Sequence, residues 1–125
     1  MSKAIVHSDI DIRWQANGHE YRAMGFIKKG EPTTPGHTAF ERVEVRLAQG
    51  WKIVETEEEW ALANQDSSQF PIEMSQHWFV TKCPYPGRPG YVSVIYYVHD
   101  RWFEYWLNPA HNWQDFVFVL CYHVL

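Results

Sequence analysis

The side chains of this sequence that could do chemistry are gathered in a few places. His99 and Asp100 stand side by side, with Glu104 close behind, and an imidazole next to a carboxylate is a working acid–base pair. Adjacent residues on a strand face apart, however, and an Asp at a tight turn commonly serves the local backbone instead. His111, Asn112 and Asp115 follow Pro109 in a second loop and carry the same ambiguity. No Ser, Cys or Lys stands in a recognisable nucleophile motif, so neither nucleophile nor substrate is fixed and no catalytic residue is assigned. His99, Asp100, Glu104 and His111 are kept as the polar lining of an alternative, a small-molecule or hydrolytic pocket between a helix and a curved sheet.

The seven histidines invite a metal reading. Cys121 and His123 would share one face of a strand, with His77 and Cys83 on another, yet a single i, i+2 pair lacks the closely spaced double pairs of structural zinc sites. No metal site and no cofactor are expected. Cys83 and Cys121 form no CxxC arrangement and read as reduced, structural thiols.

Recognition is the third kind of chemistry. The stretch YVSVIYYVHDRWFEYWLN, Tyr91 to Asn108, carries apolar and aromatic side chains on both faces of what would be strands. Trp, Tyr and Arg are the types enriched at interface centres, which singles out Tyr91, Tyr97, Trp102 and Trp106, with Tyr85 and Arg88 in the proline loop CPYPGRPG just before them. That loop could present a polyproline segment, although Gly87 and Gly90 favour an ordinary connection. Glu55, Glu57, Glu58 and Glu59, with Asp66 nearby, form an acidic run. Carboxylates in a first helical turn complement the helix dipole, and the same charges can steer a basic partner onto an aromatic anchor such as Trp60 or Trp51. Glu57 and Glu58 are therefore the expected acidic rim of an aromatic surface.

Elements must position these groups. Ile10, Ile12 and Trp14 alternate with Asp11, Arg13 and Gln15, and Asn17-Gly18 supplies the φ > 0 pair of a type I′ turn. A two-residue loop sets Trp14 opposite Tyr21 and Arg13 opposite Arg22, and that second pair predicts a face that is solvated or met by an acidic partner. Thr38 and Glu41 read as a capping box, Phe40, Val43 and Leu47 keep helical spacing, and Gly50 can serve as C′, predicting a helix from about Ala39 to Gln49. Thr56 and Glu59 repeat the pattern, so TEEEWALAN is a short helix or a continued strand. Strands are expected around Trp51 and Ile53 and over Gln76–Lys82, Tyr91–Val98, Trp102–Leu107 and Phe116–Val124.

These elements fill a single domain of 125 residues. The expected fold class is α+β, a strongly curved, mainly antiparallel sheet of five to seven strands, with an N-terminal hairpin and a C-terminal meander packed on one main helix. A sheet of this size offers roughly 600 Å² per face and one such helix shades about 160 to 200 Å². One helix cannot cover both faces, so a curled sheet, a sandwich or another chain must cover the rest.

Charge is uneven: residues 1–62 hold eighteen charged side chains and residues 63–125 hold eight, while eleven of twenty-one aromatics lie beyond Gly90. The C-terminal third therefore reads as the centre of the fold. A formal net charge of −4 argues against direct nucleic-acid binding. Neither an apolar leader nor a run long enough to span a bilayer is present, so the cytoplasm is the default location. Taken together the residues point to a non-catalytic protein that binds another protein or a second copy of itself. An inhibitor encoded by a phage or mobile element would fit the small size and acidity.

Overall fold

The computed structural model describes residues 6–74, 76–98 and 100–124. It begins with the hairpin that Asn17-Gly18 dictates: β1 (Asp11–Ala16) and β2 (His19–Met24) pair with Trp14 opposite Tyr21 and Arg13 opposite Arg22. Asn17 and Gly18 take φ of 51° and 81°, the two positive values a type I′ turn requires. The two arginines divide: Arg13 is exposed, with an Asp11 carboxylate oxygen 3.4 Å away, while Arg22 is buried and meets an acid of the chain itself. Arg22 is 4% exposed and donates to the Asp11 carboxylate at 3.0 and 2.6 Å, and its guanidinium lies 4.9 Å from the Trp51 ring centroid. The acid and the cover both come from the chain itself.

Next come β3 (Thr34–Pro35), α1 (Gly36–Glu44), β4 (Trp51–Ile53) and α2 (Glu57–Asp66). The first helix starts three residues before its expected N-terminus, and Thr38 does not cap it. Its N-cap is Pro35, and the carbonyls of His111 and Pro109 accept from the N–H groups of Gly36 and His37 at 3.1 and 3.0 Å. These distant carbonyls satisfy the helix start, so no side-chain cap is needed. Position 36 must be Gly, because a Cβ there would lie 2.4 Å from the Trp113 ring and 2.7 Å from Pro109 Cα. Gly50, at φ +91°, serves the turn into β4 and not a helix end. The capping box lies instead at Thr56 and Glu59, each side chain bonding the other's main-chain N–H, at 3.1 and 3.0 Å. That settles TEEEWALAN as a helix, and a 3₁₀ turn over Ser67–Gln69 prolongs it into the main helical element.

The remaining strands are β5 (Trp78–Pro84), β6 (Val92–Val98), β7 (Arg101–Leu107), β8 (Asn112–Trp113) and β9 (Val117–His123). They complete a curved, open, mainly antiparallel seven-stranded sheet in the order β1-β2-β9-β5-β6-β7, with β4 also on β9 and a small β3–β8 pair beside it. The meander covers β5 to β7 only; β9 leaves it, runs parallel to β5 and sits at the centre. Val117 to Cys121 are each at most 2% exposed, and a strand apolar on both faces belongs where both faces are covered.

The covering problem is solved by one helix per face. Ala39, Phe40 and Val43 of α1 pack with Met24, Val80, Val94 and Val119. Ala63 of α2, with Phe70 and Met74 after it, packs with Phe79, Ile95, Phe118 and Leu120 on the other face. Among the described residues no helix is long and apolar enough to cross a membrane.

Candidate functional site

The β6–β7 hairpin holds most of the aromatic residues singled out by sequence. Its register runs from Val98 opposite Arg101 to Val92 opposite Leu107, which puts Tyr97–Trp102, Ile95–Glu104 and Ser93–Trp106 in three rows on the α2 side. Asp100 forms the turn at φ 64°, and His99 lies outside the described residues.

At the turn end, the half-buried Trp102 ring stacks on Phe79 at 5.7 Å and meets Phe70 and Tyr97 edge-on at 5.6 and 5.1 Å. Between this end and the 3₁₀ turn after α2 is a cavity of about 460 Å³, lined by Ser68, Phe70, Tyr97, Asp100, Arg101 and Trp102 among others. In the middle row Glu104 accepts from Asn64 Nδ2, pinning the hairpin to α2. At the far end Trp106 stacks on Tyr105 at 4.4 Å, has Tyr85 at 5.1 Å and carries the Arg88 guanidinium 4.0 Å above its ring. The loop that delivers Tyr85 and Arg88 is a closed turn and not a polyproline segment. Tyr85 N–H donates to the Tyr91 carbonyl at 2.9 Å, and Gly87 and Gly90 supply φ of 79° and 84°. Tyr91 thus contributes through its main chain, N–H donating to Arg88 at 3.1 Å.

The acidic run divides by role. Glu57 and Glu58 are exposed in the first turn of α2. Glu59 turns inward, where burial raises its pKa, but hydrogen bonds from Tyr122, Lys52 and the N–H groups of Thr56 and Glu55 outweigh that and hold it down to about 2. Trp60 is half-buried against the α2-side core, and Trp51 lies under Arg13 and Arg22, so both rings are largely used within the chain. Burial raises the Cys83 thiol's pKa, a hydrogen bond with Ser93 opposes that, and the charges of Glu57 and Glu59 add to the rise. Cys83 adjoins the Val92–Ser93 end of β6, where Ser93 is opposite Trp106.

The alternative pocket is not assembled as one group. Asp100 lines the cavity, Glu104 is bonded to Asn64, and exposed His111 lies past the other end of β7, a strand of roughly 23 Å. Cys121 and His123 share a face of β9, as expected, but have different neighbours. The Cys121 thiol is buried 3.9 Å from Met24 Sδ, with its pKa pushed up to about 12 by burial, while His123 lies against Trp51 at 5.0 Å. Among the described residues no group of three His, Cys, Asp or Glu could hold a metal ion.

Two features went unread in the sequence. Asp66, grouped there with the acidic surface, is 1% exposed and accepts from Tyr21 Oη, His19 Nδ1 and Asn17 Nδ2 at 2.5, 2.8 and 2.8 Å, tying the β1–β2 turn to the end of α2. On the α1 side of the hairpin, Trp78, Tyr96, Phe103, Tyr105 and Phe116 form a half-buried aromatic cluster. Period-two alternation from Tyr97 and Trp102 was the available signal for it.

No protein-family model matches the chain, and no curated protein matches it. Among solved structures it is similar to EMS16, an antagonist of the collagen receptor integrin alpha2beta1 (GPIa/IIa). The match has 15% identity and a TM-score of 0.50, covering 90% of this chain and 97% of that one. The likeness is one of fold.

Proposed function

We propose that the chain is a non-catalytic protein-binding domain, of inhibitor type, that engages its partner through the α2-side surface of the β6–β7 hairpin. The observation that carries this reading is the Trp106 end. A half-exposed Trp with a Tyr and an Arg on it has the composition of an interface centre, and α2, on the same side of the sheet, carries the exposed carboxylates Glu57 and Glu58. A partner with an apolar recess for Trp106, flanked by basic groups facing Glu57 and Glu58, fits it. EMS16, a chain of similar fold, acts as an antagonist of a protein receptor, which supports an antagonist role here. The origin in a phage or mobile element, expected from size and acidity, gains nothing from the fold.

Trp102 and Trp106 separate core from interface. Trp102 packs on Phe70 and Phe79, so Trp102→Ala costs about 2–4 kcal/mol of stability. Trp106→Ala leaves the core intact and lowers the melting temperature by only a few degrees, while abolishing recovery of the partner in a pull-down with the chain as bait. Equal recovery by wild type and Trp106→Ala, or a wild-type chain that captures nothing, contradicts the proposal.

A further inference from the structure

β7 is the last strand of the sheet, and among the described residues it pairs with β6 and no other strand. Two residues separate the paired Val98 and Arg101, and hydrogen-bonded pairs alternate from that closing pair. Trp102, Glu104 and Trp106 therefore turn their main-chain N–H and C=O away from β6, toward the open side.

Natural sheets blunt such edges with charge, Pro or bulges. The opposite edge is blunted: β1 alternates Asp11, Arg13 and Gln15 along its length. β7 also carries two charges, Arg101 and Glu104, but it has no Pro and no bulge: its register with β6 is unbroken, and both its faces carry rings.

We propose that a second copy of the chain pairs with β7, antiparallel about a two-fold axis, with Phe103 opposite Phe103. Charge selects that register. A shift that centres Glu104 places like charges face to face. Centring Phe103 puts Asp100 opposite Trp106 of the second copy, and the Arg88 guanidinium, 4.0 Å above that Trp106 ring, then meets Asp100. Both groups are exposed, and symmetry makes the pair twice. On the other face Arg101, 4.7 Å from the Phe103 centroid, comes opposite Tyr105, a second cation–π partner. The sheet then continues through both copies, and the two α2-side surfaces stand next to each other. This pairing rests on the hairpin being an interface, but it requires no foreign protein.

The test is the mass in solution, by light scattering or sedimentation, from low to high micromolar concentration. The expected wild-type mass approaches twice 14.8 kDa as concentration rises. Phe103→Lys, which sets two ammonium groups on the axis, gives a monomer with an unchanged circular dichroism spectrum. Arg88→Glu and Asp100→Lys each weaken self-association roughly tenfold or more. Mixed together they restore a dimer, since each mutant chain then offers the charge the other lacks. A wild type that stays monomeric throughout, a dimer that survives Phe103→Lys, or a mixture no more associated than its parts overturns the pairing. Capture of a foreign protein is read separately and stands or falls without it.

Discussion

His7 makes a main-chain latch that only a neutral imidazole can hold. Its Nδ1 accepts from the N–H groups of Phe26 and Ile27, both at 3.0 Å, and its ring packs on Phe26 and Phe118 at 4.9 Å. A protonated Nδ1 cannot accept either bond. Burial lowers its pKa; the Asp115 charge and the carbonyls of Asp115 and Val117 oppose that in part, and His77 adds to the lowering. His77 is itself lowered by burial beside Phe118. The sign follows: with folded values below 6.5, the unfolded chain binds more protons as pH falls, so the stability present above 6.5 is lost on going down through it. The slope is at most about 1.4 kcal/mol per pH unit for each ring, and less because both are partly exposed. Urea unfolding at pH 7 and pH 5 is expected to show a weaker fold at pH 5, and His7→Phe to be less stable at pH 7 but flatter with pH. Equal slopes in the two proteins would remove His7 from this role. Nothing in the sequence marked His7, because its partners are main-chain groups about twenty residues away.

Elements were legible where their signals are local. Asn17-Gly18 makes the first hairpin readable down to its register, and Thr56 with Glu59 starts α2. The start of α1 was not readable, because the groups that finish it come from the loop before β8. Two substitutions separate these cases. Thr56→Ala removes a local cap and costs about 1 kcal/mol. Gly36→Ala forces a methyl against Trp113 and Pro109, which cannot both yield without parting α1 from β8, and costs several times more. Chemical denaturation of the two variants checks the ranking, and a Gly36→Ala protein as stable as Thr56→Ala would show that α1 is not held in this way.

At the scale of the molecule, one helix cannot shade both faces of a sheet this size, and α2 is the element that covers the second. The sequence of α2 fits a helix or a strand, because its capping box is followed by a weakly amphipathic stretch, and in the fold this helix and the turns after it cover the other face. The central place of β9 was foreshadowed by the apolar run Phe116 to Tyr122, yet its parallel pairing with β5 depends on a long-range crossover that no local pattern records. Of the site, Tyr85, Arg88 and Trp106 come together, while Trp102 is shared with the core and His111 stands apart. The central claim is that the Trp106 end meets another protein. Photo-crosslinking tests it most directly, with benzoylphenylalanine in place of Trp106 in one chain and of exposed Arg13, on the far edge of the sheet, in another. The account predicts one foreign protein joined at position 106, lost when Glu57 and Glu58 are changed to Lys, and none joined at position 13. The same set of proteins from both positions, or no foreign protein from position 106, would contradict it.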